Sequence, residues 1–249
     1  MTDSYKALCT DFYVNQKVAL KMDLPRTRES VLEFFERIRR QFPAMGSFRR
    51  YRDELALESP QTDMPHRWVA VRANNIRSGV VNPNQLTEAY SLHKTILDSA
   101  PAYMSITPLD VDHIELLYGF DLAAGGNHDA IVLDALLHGS PLQQLLDIPN
   151  CVPIDYQPVI GFSLGSAGET EVHFEVKTRP SPSAAREMPE GHDPISVYLT
   201  LRRFGPIGDV KDLEKIQKQL TSYAEDLIES RLIPSLIMPI RHAIASGNA

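Results

Sequence analysis

The sequence predicts an α+β protein, a mainly antiparallel sheet backed by helices and laid out as two similar halves. Three observations lead there. Apolar and polar residues alternate on nearly every strand-like run, as they do in strands with one buried and one wet face. Segments of helical periodicity fall between those runs. The order strand, helix, strand, strand, helix then occurs twice, and an arginine closes the last strand of each copy, at Trp68–Arg72 and Tyr198–Arg202. The halves fall at residues 1–108 and 109–249, able to pack together as one domain.

In the first half, Val18, Leu20, Met22 and Leu24 alternate with Lys17, Ala19, Lys21 and Asp23, a strand pattern. Val31, Phe34, Phe35, Ile38 and Phe42 share one helical face. Tyr51, Leu55 and Leu57 line one side of a second strand, with Glu54 and Glu58 opposite, and Val69, Val71 and Ala73 form a third. Asn82-Pro83 supplies a cap and a first-turn proline to a helix whose inner face is Leu86, Ala89, Tyr90, His93 and Leu97. His93 reads there as a core histidine. The longest strand carries Ile114, Leu116, Tyr118, Phe120 and Leu122, so residues 10–122 follow the ferredoxin-like order of strands and helices.

In the second half, Ala130–Leu137 is apolar almost all round, which predicts a buried helix closing at Gly139, with a short helix after Ser140-Pro141. Val159–Leu164 adds a short strand. Val172, Phe174 and Val176, then Ile195, Val197, Leu199 and Leu201, give two more. A helix from about Asp209 to Ile233 places Leu213, Ile216, Leu220, Tyr223 and Leu227 on one side. The run Ile233–Ile240 holds two prolines that stop a regular helix, and its apolar residues dock onto the core or onto a neighbouring subunit. Residues 178–194 hold four prolines and little apolar material, which predicts an exposed loop or lid.

Composition bounds the function. The 249 residues are 43% hydrophobic and 23% charged, enough apolar material for a core. A net charge of −7 disfavours nucleic acid and anionic membrane as partners. Two distant cysteines, Cys9 and Cys151, predict free thiols in a reducing compartment. The polar start shows no apolar signal region and no stretch is apolar enough to span a bilayer, so the expected location is cytoplasmic.

Three constellations could carry chemistry. His113-Ile-Glu115 and His173-Phe-Glu175 each put an imidazole and a carboxylate on the polar face of a strand. Were those strands neighbours, the four side chains would suit a divalent metal such as Zn²⁺, Mn²⁺ or Fe²⁺; otherwise they are cross-strand ion pairs. The turn from Asp121 to Asp129 holds Gly125, Gly126 and Asn127, and offers Asp121, His128 and Asp129 as acid and base candidates; its plainer reading is a capped tight turn. The arginines Arg37, Arg40, Arg49, Arg50 and Arg52 form a basic patch on an acidic chain, suited to an acidic protein, a phosphate-bearing ligand or a sister subunit.

No catalytic motif accompanies this patterning. The leading reading is a non-enzymatic binding, regulatory or assembly component that self-associates. The alternative is a metal-dependent or general acid/base enzyme using the His/Glu set or the Asp121–Asp129 turn. A weaker alternative is a haem or small-molecule binder in a duplicated ferredoxin-like barrel, which rests on fold analogy alone.

Overall fold

Alternating burial governs the structure, a computed structural model that describes residues 5–25, 27–146, 148–165, 168–178 and 193–247. Nine strands form one sheet: β1 (Asp11–Leu20), β2 (Ser47–Arg50), β3 (Leu55–Glu58), β4 (His66–Val71), β5 (Asn75–Val81), β6 (Val111–Leu122), β7 (Val159–Leu164), β8 (Thr170–Lys177) and β9 (Ile195–Phe204). Their order is β2-β3-β4-β5-β1-β6-β9-β8-β7, and every neighbouring pair is antiparallel. The helices are α1 (Arg28–Gln41), α2 (Leu86–Tyr103), α3 (His128–Leu137), α4 (Asp212–Leu227) and α5 (Met238–Ser246). A 3₁₀ turn spans Pro141–Leu146, and a π-helical stretch, Ile228–Ile237, joins α4 to α5. None of these helices is long and apolar enough to cross a membrane.

Each half follows one course: a first strand, a helix, a meander whose last strand returns beside the first, and a second helix. The first strands, β1 and β6, pair with each other at the centre. This differs from the ferredoxin-like order. The first meander has four strands, and β5 intervenes between Arg72 and α2, so Arg72 lies in a hairpin and does not close the last strand. Ser78 takes an inward position of β5 between Ile76 and Val80, and with Asn75, Arg77 and Gly79 on the other side the strand reads as a loop. The sheet is open, with edges at β2 and β7, and does not close into a barrel.

One face carries the core. Phe12 pairs with Phe120 across β1 and β6, and Tyr5 packs edge-on against both rings. Next along are Val14 beside Tyr118 and Val18 beside Ile114, all buried. Helix α2 lies on β1 and β5, and α4 on β6 and β9. Tyr90 of α2 shares a hydrogen bond with Tyr118 (2.9 Å) and donates to Glu225 of α4 (2.9 Å), tying both helices to the sheet. Gln16 occupies an apolar position of β1, only 2% exposed, and its amide donates to the backbone oxygen of His93. His93 is fully buried against the Ser78 hydroxyl (2.9 Å), and burial pushes its pKa down to about 3, so the ring is neutral.

Several expected elements shift. The first strand ends at Leu20 and starts at Asp11; Met22, two residues beyond its end, is 67% exposed. The buried Gln16 breaks the apolar pattern that would have revealed the earlier half. Helix α1 buries Val31, Phe34, Phe35 and Ile38 as expected, and Thr27 caps it by accepting from the Ser30 N–H. Asn82 does not cap α2, which follows Gln85. Asn82 sits at a φ of 51°, accepts from the Phe12 N–H and donates to Asp11. Helix α3 is half-buried for most of its length, with Ile131 and Val132 its buried apolar residues. The two C-terminal prolines do not break the helical path. Pro234 lies within the wider π-helical stretch, Pro239 in the first turn of α5, and Leu232, Ile237 and Ile240 are buried in the chain's own core. Most of the expected loop at 178–194, residues 179–192, lies outside the described residues.

The position of Phe120 among Phe12 and Tyr5 makes it a sensitive test of this arrangement. Phe120→Ala is expected to lower unfolding stability by about 3–5 kcal/mol in urea denaturation, whereas exposed Met22→Ala changes it by less than about 0.5 kcal/mol.

Candidate functional site

Helices cover one face of the sheet and leave the other open. Strand pairing sets which side chains meet on the open face, because residues opposite each other in the ladder point the same way. Three large side chains there lie over cross-strand glycines: Trp68 over Gly79, Tyr13 over Gly119 and His173 over Gly161. A Cβ at any of these glycines would collide with the ring above it. The missing side chain is what lets each ring lie flat.

Around Trp68 the open face is hollowed. A depression of about 300 Å³ is lined by Asn15, Lys17, Trp68, Arg72, Asn75 and Arg77 together with Glu115 and Leu117. A second, of about 690 Å³, adjoins it and shares Trp68, Arg72 and Arg77, with Arg52 and His66 and the carboxylates Asp53, Glu54 and Glu58 among its other walls, so the excess of cations lies in the smaller hollow. The register builds this place from separate strands: Lys17 lies beside Arg77, and Asn15 beside Gly79, which in turn lies beside Trp68.

The guanidiniums of Arg72 and Arg77 both donate to Oε2 of Glu54. Burial alone would raise the Glu54 carboxyl, but the two arginines outweigh it and hold it below its ordinary range. Arg77 also stands 5.8 Å over the Trp68 ring. Its Nε, with Oδ1 of Asn15 and of Asn75, is buried without a hydrogen-bond partner. The smaller hollow thus presents three cations and one carboxylate in its lining, Glu115, which stands opposite Lys17 and is engaged by Arg202. Such a surface favours an anion with a flat group that can lie against the indole.

The other candidates are distributed. Strand β9 runs between β6 and β8, so the two His-x-Glu pairs are not neighbours. The register sets His173 level with Thr200 and Leu117, four residues along β6 from His113. His113 instead bonds Asp112 (2.9 Å) and packs on Phe204, Glu115 pairs with Arg202, and Glu175 pairs with Lys177. No group of three or more His, Cys, Asp or Glu side chains among the described residues could hold a metal ion.

The Asp121–Asp129 segment also divides. Asn127 caps α3 by accepting from the Ala130 N–H and donates to the Pro153 oxygen. His128 places its ring nitrogens against the backbone oxygens of Thr178 and Ala124, while Asp129, buried, accepts from the Thr178 hydroxyl (2.6 Å) and the Tyr156 N–H (2.9 Å). These two residues fasten α3 to the end of β8 and to the segment before β7. Asp121 faces the open side, where it accepts from Ser196 (2.7 Å) and lies 3.3 Å from the Tyr13 hydroxyl. Burial raises its pKa, the two hydroxyls pull it down, Asp11 adds to the rise, and the net shift is upward.

The arginines are parted by strand alternation. Arg49 points to the open face and Arg50 to the helix side of β2, Arg52 joins the larger hollow, and Arg37 and Arg40 border another depression on α1 with Glu33 and Glu36. The residues that sequence reading passed over are Asn15, Lys17, Trp68, Arg72 and Arg77. The available signal was an isolated tryptophan on a strand, with two arginines flanking the Ala73-Asn74 turn. Comparison with protein-family models and with curated proteins finds no match for the chain.

Asp121 yields a signed pH test. A carboxyl whose folded pKa is raised binds its proton more tightly when folded, so it weakens folding as pH climbs from the ordinary aspartate range through the raised value. Asp121→Asn is therefore expected to raise the thermal midpoint at neutral pH. The gain should shrink in acid, as followed by calorimetry across pH.

Proposed function

We propose that the protein is a non-enzymatic binding component that takes an anionic, phosphate- or carboxylate-bearing ligand on the open face of its sheet. One observation carries the reading: Lys17, Arg72, Arg77 and Trp68 converge on adjoining hollows. A bound oxyanion accepts from guanidinium N–H groups that Glu54 leaves accessible, since the Arg72 and Arg77 side chains are 42% and 31% exposed, and the indole supplies a platform for a ring. Glu54 holds the two arginines in place, so the cost of gathering cations is met before a ligand arrives. The shared course of the two halves, 1–108 and 109–249, supports reading them as duplicated copies. The unpaired thiols of Cys9 and Cys151 support a reducing, cytoplasmic setting.

A second reading, a general acid/base enzyme, has one specific observation in its favour. Asp121 is a carboxyl with a raised pKa beside the hydroxyls of Ser196 and Tyr13 on the same open face, and Tyr13 is bonded in turn to the Tyr198 hydroxyl. The metal-dependent form of that reading requires His113, Glu115, His173 and Glu175 to converge, and their placement offers it no support. The haem reading loses its premise with the barrel.

Trp68 is the single tryptophan of the chain, so its emission reports this site directly. Titration with phenyl phosphate is expected to change that emission saturably. Arg77→Ala should weaken binding about ten- to hundredfold, the scale of one charge-assisted hydrogen bond. Lys17→Ala should weaken it in the same direction, while Arg49→Ala, on the same face outside the hollows, leaves it unchanged. Unchanged emission, or equal affinity in all three variants, would sink the proposal.

A further inference from the structure

The two edges of the sheet are built differently. Strand β2 is four residues long and carries Arg49 and Arg50, the short and charged form that discourages further pairing. Strand β7, Val159–Leu164, has six residues and no charge or proline. It is exposed almost throughout: Val159 is 56%, Ile160 60% and Phe162 37% exposed. The segment leading into it is exposed and apolar as well, at Ile148, Val152 and Ile154.

The ladder shows which peptide groups of β7 have no strand partner among the described residues. Val176 donates to the Pro158 oxygen across the β7–β8 ladder (3.0 Å). In an antiparallel pair, bonded positions recur at every second residue, so Ile160, Phe162 and Leu164 turn their N–H and C=O groups to β8. Val159, Gly161 and Ser163 turn theirs outward.

We propose that β7 is a homotypic interface, at which two copies of the chain pair their β7 strands antiparallel about a twofold axis at Gly161 and continue one sheet through both. This register uses all three outward-facing residues: Gly161 bonds its own counterpart, and Val159 bonds Ser163 of the other copy on either side. It also sets Ile160 opposite Phe162 of the other copy, twice, in the non-bonded positions where side chains lie closest. Centring on Ile160 or Phe162 leaves an outward-facing residue without its match within the strand. A second copy is favoured over a foreign strand because the segment is self-complementary under a twofold. It bears no charge to repel its own image, and an isologous contact closes after two subunits. The charged β2 edge offers no equivalent partner, so the pairing does not propagate into a fibre.

The test is the mass of the full chain in solution by light scattering across a concentration series, with hydrogen exchange on the same samples. Wild type is expected to be a dimer, with the amides of Val159, Gly161 and Ser163 protected. Ile160→Lys places a cation against Phe162 of the other copy, and Ser163→Pro removes an outward N–H without touching a bond to β8. Both should be monomers with unchanged circular dichroism, and in Ile160→Lys the three amides should exchange freely. A wild-type monomer at every concentration overturns the proposal, as does a dimer that persists in both variants. Should a variant fail to fold, exchange in the wild type decides: a dimer whose three outward amides exchange freely pairs elsewhere, and the proposal fails.

Discussion

The antiparallel pairing of β1 with β6 is the contact on which the rest of the architecture depends. Its register runs from Asp11 opposite Asp121 to Leu20 opposite Val111, with one shift between Ala19 and Leu20. On one side it stacks Phe12 on Phe120, Val14 on Tyr118 and Val18 on Ile114, the surface that α2 and α4 cover. On the other it places Tyr13 over Gly119 and Lys17 beside Glu115. A slip of one residue would exchange the two sets, exposing the aromatic core and burying the charges. Because each half contributes its first strand to this pair, either half alone would present a long apolar edge. The halves therefore complete each other's sheet, whatever their origin.

Polar groups inside this core refine the packing set by the apolar ones. Gln16, His93 and Ser78 link β1, α2 and β5 by hydrogen bonds, and the Tyr118–Tyr90–Glu225 chain links β6, α2 and α4. A purely apolar helix face can rotate by a fraction of a turn at modest cost, whereas these bonds hold α2 in a single orientation. The same groups explain part of what the sequence conceals. Gln16 sits at an inward position and Ser78 at another, so β1 and β5 lack the alternation that makes β6, β8 and β9 plain. The inner face of α1 could be read because its apolar residues repeat without such interruptions, whereas α4 buries Gln217 and Thr221 beside Leu213, Leu220 and Ala224 and leaves Tyr223, expected on that face, exposed.

The candidate sites were harder to read, since a sheet site is defined by pairing order and the sequence contains no direct record of it. The His-x-Glu pairs are genuine strand-face pairs; the insertion of β9 between β6 and β8 keeps them apart. The arginines of residues 37–52 are close in sequence, yet alternation on β2 sends Arg49 and Arg50 to opposite sides. Conversely, Lys17, Trp68 and Arg77 come together from β1, β4 and β5 by register alone. Glycines at 79, 119 and 161 were the subtler signal. Each lies in a strand, where glycine weakens packing, and each makes room for a ring from the neighbouring strand.

Covering a sheet on one side only has a consequence for how its parts can be used. The face without helices carries the hollows around Trp68, which lie among β1, β3, β4 and β5. Strand β7 lies at the far edge, with β6, β9 and β8 between it and β1. Pairing through β7 therefore leaves both hollows of a dimer open, facing the same side of one extended sheet. If the hollows take anions and β7 pairs as proposed, the two sites would engage a ligand bearing two anionic groups with an effective concentration set by the platform rather than by a flexible linker. Single-site affinity could then be modest while attachment to a multivalent partner stays firm, the behaviour expected of an assembly component rather than of an enzyme.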